Sequence, residues 1–273
     1  PTSLKKRLYQ NKKDLELRLN EFRSEIDELR QQMLAHDRYS MLIIFQAMDA
    51  AGKDGTIQHV MSGINPHGVE VHSFKRPSED EIDHDYLWRC TKVLPPRGKV
   101  GIFNRSYYEE VLVCRVHPEV VQKYQRLPEE TTANLKHLWP RRFEEIRNYE
   151  AMLHANGTRI VKFFLHVSKE EQKRRFLDRI DTPSRNWKFN AADLKERALW
   201  DDYMEAYGDA LEATATKDSP WYIIPADDKG DMRLAVSTAI LHEMRRMKLS
   251  WPVLPPDQQT ALAECRKALL AEK

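Results

Sequence analysis

The chain has 273 residues, 32% of them charged, yet 44 Lys and Arg against 42 Asp and Glu leave a net charge of only +2. That balance argues against a general nucleic-acid binder while leaving room for a local basic channel. Three widely separated cysteines, Cys90, Cys114 and Cys265, argue against a disulfide framework and for a reducing compartment. No apolar stretch has the length of a membrane span and no signal-peptide core opens the chain, so the expectation is a cytoplasmic enzyme with no membrane partner. Ten scattered histidines lack paired ligand spacing, so no zinc site is expected.

In chain order, residues 4–36 predict a long charged helix. Leu15, Leu19, Phe22, Ile26, Leu29 and Met33 recur at helical spacing, and Leu4 and Leu8 extend the stripe. The seam packs across the chain's own surface or pairs two subunits, and the first is the expectation. Residues 41–45, a short apolar run, predict a buried strand. A small-residue loop over 47–56 follows, and Ile57, Val60 and Met61 then resume at helical spacing. Residues 69–74 alternate as a second strand, and Ser78-Glu79-Asp80-Glu81 opens a helix running to about residue 93, stopped by Pro95-Pro96. Residues 100–103 form a third strand. A helix from about 140 to 154 ends at Asn156-Gly157, and residues 159–165 form a fourth strand. Ser168 to Glu171 reads as a second capping box, opening a basic helix. Residues 221–225 form a fifth strand, and a helix follows over about 231–247. Strands alternating with helices predict a three-layer αβα domain spanning 1–273, with a mostly parallel five-stranded sheet and a helical lid near 173–195.

Three segments carry the chemistry. The loop Ala47-Met48-Asp49-Ala50-Ala51-Gly52-Lys53-Asp54-Gly55-Thr56 sits between strand and helix, the context in which backbone N–H groups and a helix N-terminus face an anion. Lys53 adds a full positive charge. The loop departs from the common phosphate-loop pattern at Ala47, which replaces a glycine, and at Asp54, which replaces a hydroxyl residue. Asp49 would repel a bare phosphate, so it reads as a metal ligand or a base, with a turn-forming Asp as the plain alternative. Asn104-Arg105-Ser106-Tyr107-Tyr108-Glu109-Glu110 follows the third strand, where the carboxyl ends of parallel strands form the ligand crevice. There Arg105 suits phosphate, and Asn104 and Glu109 are candidate metal ligands. The basic stretch 173–180 with Arg175 and Arg179, followed by Pro183 and Lys188, reads as a lid over a polyanion or as a solvated face. Lys75 and Arg76 follow the second strand and are either substrate-steering or an ordinary turn.

The loop, the Phe103-Asn104-Arg105-Ser106-Tyr107-Tyr108-Glu109 segment, and Trp187-Lys188 with Trp200-Asp201-Asp202-Tyr203 and Pro220-Trp221 together resemble the polyphosphate kinase 2 family over about residues 10–250. The Tyr-Tyr-Glu-Glu form, with Arg115-Val116-His117-Pro118, resembles the subgroup that phosphorylates nucleoside mono- and diphosphates. The resemblance implies a P-loop kinase fold and transfer between polyphosphate and adenine or guanine nucleotides. It implies Mg²⁺, with Mn²⁺ able to substitute, and a homodimer or homotetramer. It assigns Asp49, Lys53, Arg105 and Arg179 to catalysis. Beside these, the residues themselves mark Ala50, Ala51, Gly52, Asp54, Gly55, Thr56, Lys75, Arg76, Tyr108, Arg175 and Lys188 as candidates for phosphate or nucleotide, and Asp49, Asn104 and Glu109 for the metal. The rivals are an ATP-dependent nucleoside monophosphate kinase and a non-catalytic polyphosphate-binding P-loop protein.

Overall fold

In the computed structural model, which describes residues 1–272, the apolar runs become one sheet: β1 (Ser40–Gln46), β2 (Val69–Ser73), β3 (Val100–Asn104), β4 (Thr158–His166) and β5 (Trp221–Pro225). The order is β2-β3-β1-β4-β5 and every pairing is parallel. β1 is central and buried along its whole length, which is why it reads as an uninterrupted apolar run rather than an alternating one. Its neighbours β3 and β4 return from opposite sides, so the crevice of a doubly wound sheet opens at the carboxyl end of β1.

Parity in β4 assigns the two helical layers, because successive strand side chains face opposite ways. Arg159 points to one face and bonds Glu243 at 2.8 Å, whereas Lys162 points to the other and bonds Glu150 at 2.6 Å. The first face carries α1 (Lys12–His36) and α2 (Lys53–Val60). The long α1 lies on the helix that bears Glu243 and buries Leu19, Ile26 and Met33, so its seam is spent within the chain. It starts later than the expected residue 4. Asn11 caps it by accepting from Asp14 N at 3.0 Å, and residues 1–10 run outside any helix or strand. Leu8 N bonds Asp231 at 2.7 Å and Asp227 N bonds Thr2 O at 3.0 Å, contacts a continuing helix would forfeit.

The box at Ser78 forms in both directions, yet the helix it opens lasts one turn, α3 (Glu79–Ile82). Asp85 accepts from Leu87 N and Trp88 N and starts a separate turn, α4 (Trp88–Thr91), so the continuous helix expected to residue 93 is broken. Between β3 and the next long helix lie α5 (Val113–Val116), α6 (Pro118–Tyr124) and α7 (Glu129–Thr132). The long α8 (Leu135–Ala155) begins before residue 140 because Asn134 caps it. Pro140 then falls inside its second turn, where it costs one intrahelical bond. After β4 come α9 (Lys169–Asp181), α10 (Ala192–Ala198) and α11 (Trp200–Thr214). Ser168 caps α9, but Glu171 turns away from the expected box to bond Arg174 and Arg175. α12 (Lys229–Arg246), which carries Glu243, is capped by Asp228, and the exposed α13 (Pro256–Ala271) closes the chain.

α8 and α11 enclose a buried polar knot on the second face. Lys162 Nζ lies 2.6 Å from Glu150, 3.0 Å from Tyr108 Oη and 2.9 Å from Thr214 O, while Tyr107 Oη and Ser219 Oγ donate to Glu150 at 2.9 and 2.7 Å. Replacing Lys162 by Met strands a buried carboxylate, so the Lys162→Met variant should lose about 3–5 kcal/mol in denaturant unfolding. A loss under about 1 kcal/mol, within the range of an ordinary surface substitution, would mean that the knot contributes no net electrostatic stability.

Candidate phosphate-binding site

The turn after β1 is built from backbone that side-chain-bearing residues rarely adopt. Ala50 has φ 59° and Gly52 φ 105°, and Arg105, which follows β3, has φ 64°. Such values cost of order 1–3 kcal/mol each outside glycine and persist only where the surroundings enforce them. Arg105 is held by its N–H to Phe45 O at 3.0 Å, which locks the end of β3 to the end of β1. α2 then starts at Lys53. The N–H groups of Gly52, Lys53, Asp54 and Gly55 meet no acceptor among the described residues, so the helix start presents four donors to the crevice.

Around those donors the structure gathers most of the expected residues. Lys53 Nζ donates to Ala47 O at 2.7 Å, using one of its three hydrogens. Burial, and after it the nearby charge of Arg105, lowers the Lys53 pKa, opposed by Asp49, Glu109 and Asp54. Arg105 Nη2 lies 3.2 Å from Asp49 Oδ1 in a half-exposed pair. Burial alone would lower the Arg105 pKa, but Glu109 and Asp49 outweigh it and the net shift is upward. Glu109 is pushed up by burial, with Asp49 and Glu110 adding and Arg105 and Lys53 opposing. Gln46, with its amide oxygen toward Ser106, donates to Glu109 at 2.9 Å. Asn104 Nδ2 donates to Asp54 at 2.6 Å, which gives Asp54 a local partner and leaves the Asn104 carbonyl oxygen free to accept.

α9 adds Arg179, whose Nη1 lies 3.9 Å from Asp193 Oδ2. Asp193 was not among the expected site residues. It sits in the first turn of α10, where an acid reads as an ordinary helix-start residue. Its pKa is raised by burial and then by Asp49, and lowered by Arg179 and Arg105, which places it in the same electrostatic field as the loop. Tyr203 and Tyr207, on α11, are buried. Burial raises both phenol pKa values, with further upward pushes from Glu196 on Tyr203 and from Glu109 and Asp49 on both, so α11 walls this cleft.

Several expected residues fall elsewhere. Tyr108 is fully buried in the Lys162–Glu150 knot and has no path to a nucleotide. Arg175 lies behind the loop, 5% exposed, rather than over it. Lys75 and Arg76 are exposed beyond the end of β2, with Arg76 5.5 Å from the Tyr124 ring. Lys188 is exposed beside Trp187. Among the described residues no group of three His, Cys, Asp or Glu forms a ready-made metal cage. The donor set in the cleft is nonetheless all oxygen (Asp49, Glu109, the Asn104 carbonyl), which suits Mg²⁺ held by one or two carboxylates together with substrate phosphates.

The sequence matches the family described as Polyphosphate kinase 2 over residues 9–251. It is 55% identical over 245 residues to the "ADP-polyphosphate phosphotransferase" of Rhodopseudomonas palustris, covering 90% of this chain and 84% of that protein. It is 42% identical over 227 residues to the "AMP/ADP-polyphosphate phosphotransferase" of Meiothermus ruber, with 83% and 80% covered. The fold is similar to the crystal structure of Polyphosphate Kinase 2 from Arthrobacter aurescens TC1, with TM-score 0.81, 38% identity, and 93% and 87% of the two chains covered.

The loop's two glycines should respond oppositely to alanine. At Gly52 a Cβ meets Met232 Cε at 3.2 Å and the backbone is left-handed, whereas at Gly55 nothing lies within 4 Å. Gly52→Ala should cost about 1–3 kcal/mol, and Gly55→Ala, inside α2, should gain about 0.5–1 kcal/mol. Paired denaturant titrations check this, and equal effects would contradict the loop geometry.

Proposed function

Because the chain belongs to the polyphosphate kinase 2 family, we propose that it moves phosphoryl groups from inorganic polyphosphate to ADP and AMP in the cleft formed by Asp49, Lys53 and Arg105. The observation that carries this reading is the meeting of four unpartnered backbone donors, an ammonium and a guanidinium at one carboxyl edge of the sheet. An oxygen of the nucleotide's terminal phosphate attacks the terminal phosphorus of the polymer in line. The P–O–P bond behind that phosphorus breaks and a polyphosphate one unit shorter leaves. The attacking oxygen is already anionic, so no strong base is required. Lys53 and Arg105 neutralise charge on the transferring group, and the first turn of α2 fixes its orientation.

Mg²⁺ suits this cleft, held by Asp49 with Asn104 or Glu109, and would screen the charge between the two anionic substrates. That is why a carboxylate stands inside an anion site at all. The segment from α9 to α10 forms the lid, with Arg179 as its cation over the transferring group. The family and the names of the relatives support polyphosphate as the donor rather than ATP, as against a nucleoside monophosphate kinase.

Purified protein mixed with ADP, Mg²⁺ and polyphosphate should form ATP, read by luciferase, and AMP with polyphosphate should form ADP. Absence of both products would refute the reading, and activity only with ATP as donor would establish the rival kinase. Within the active enzyme, Lys53→Ala should lower turnover at least about a hundredfold, the scale lost with one preorganised charge-stabilising donor. Its melting temperature should stay close to the parent's, since the ammonium fills no core space. Asp49→Asn should move the Mg²⁺ titration to markedly higher concentration as turnover falls. An unchanged titration would assign Asp49 to the turn alone.

A further inference from the structure

One face of α9 makes contacts that phosphoryl transfer itself does not use. Gln172 Nε2 donates to Asp49 O at 2.9 Å, and Arg175 Nη1 donates to Ala50 O at 3.0 Å and Ala51 O at 2.7 Å. Three consecutive loop carbonyls therefore point at α9. In a trans peptide the N–H of the next residue points the opposite way, so capturing these carbonyls turns the N–H groups of Ala50 and Gly52 away from α9. Ala51 N closes a tight turn onto Met48 O at 3.3 Å. The left-handed backbone at Ala50, unfavourable for a residue with a Cβ, is what this capture enforces.

Arg175 has nothing left over for a ligand. Its Nη2 donates to Ala226 O at 2.6 Å and Asp227 O at 3.1 Å, and its Nε to Glu171 at 2.7 Å, so all five guanidinium hydrogens are committed. Gln172 is fixed from its other end. Arg197 Nη1, on α10, donates to Gln172 Oε1 at 2.8 Å and to Lys169 O at 2.7 Å, which decides which way the amide faces. α10 also carries Asp193 opposite Arg179. One chain of bonds thus runs from the lid helix through Arg197 and Gln172 to the peptide of Asp49.

We propose that Arg175 and Gln172 are positioning residues that hold the loop carbonyls off the phosphate, and that Arg197 ties this grip to the position of the lid helix. The proposal rests on the reading of the loop as the phosphate cradle. It separates Arg175 from the cations that touch polyphosphate.

The test compares parent, Arg175→Ala, Gln172→Leu and Lys53→Ala. Turnover and the polyphosphate Michaelis constant are measured against salt, and binding of inorganic triphosphate is measured by calorimetry. Misplaced reacting groups cost on the order of a hundredfold, so Arg175→Ala should lose about that in turnover. Its salt dependence should stay parallel to the parent's, and millimolar guanidinium should restore part of the rate in this variant but not in Lys53→Ala. A salt slope shallower by about one, the signature of a lost phosphate contact, would overturn the proposal, as would unchanged turnover. Should Arg175→Ala fail to fold, Gln172→Leu decides. Turnover lower by about tenfold or more, a part of the loss that misplacement causes, with a near-parental melting temperature supports the grip, and parental turnover refutes it. If the parent itself moves no phosphoryl group from polyphosphate, the transferase reading fails, while triphosphate binding by Arg175→Ala that is weaker but keeps the parent's salt slope still supports the grip, and unchanged binding or a slope shallower by about one refutes it.

Discussion

Backbone at an anion site presents a carbonyl for every N–H, and the carbonyls must be turned away before the donors are of any use. Here that constraint falls on the turn after β1. Central placement in a parallel sheet delivers the chain to the crevice, and the sharp entry into α2 leaves its first amides unpaired. The acceptors of Asp49, Ala50 and Ala51 are taken up by side chains of a helix far along the chain. The site is therefore assembled by tertiary contacts, and the local sequence supplies only residues small enough to comply.

Charge in the cleft is arranged on the same principle of local cancellation. Asp49 stands against Arg105, Asp54 against Asn104, and Glu109 against Gln46 with Arg105 and Lys53 in its field. Three carboxylates near a phosphate site would be hostile to substrate if they were bare. Paired as they are, they hold Arg105 in place and set a negative field around Lys53. A second, dry pairing beneath, Lys162 with Glu150, secures the Tyr107-Tyr108 turn and hence the height at which Arg105 and Glu109 stand.

Much of this was legible in the sequence. The five strands, the loop and the Arg105 segment all show as short apolar runs ending in polar turns, because a parallel sheet buries its strands on both faces. The apolar stripe over residues 4–36 marked a face that must be covered, and of its two readings the structure shows packing of residues 12–36 on the chain itself. What failed were features decided by single side chains acting at a distance. Asp85 breaks the helix expected to reach residue 93, and Asn11 stops α1 short of Leu8. Arg175 and Arg179, four residues apart in one basic run, look alike in sequence, yet one is buried behind the loop and the other faces Asp193. Tyr108 was drawn into the site by its neighbours and belongs to the core. Asp193 was missed because an acid in the first turn of a helix is ordinary. No periodicity marks any of these, since each depends on what packs opposite.

The central claim is that the unpaired amides opening α2 converge on phosphate while the carbonyls of the preceding loop residues, Asp49, Ala50 and Ala51, are held away from it. Amide proton shifts measured during titration of the isotope-labelled enzyme with inorganic triphosphate test it most directly. The largest downfield movements should fall on Gly52, Lys53, Asp54 and Gly55, with saturation at one common affinity. Saturation of triphosphate binding with those four resonances unmoved would place the phosphate site elsewhere in the molecule.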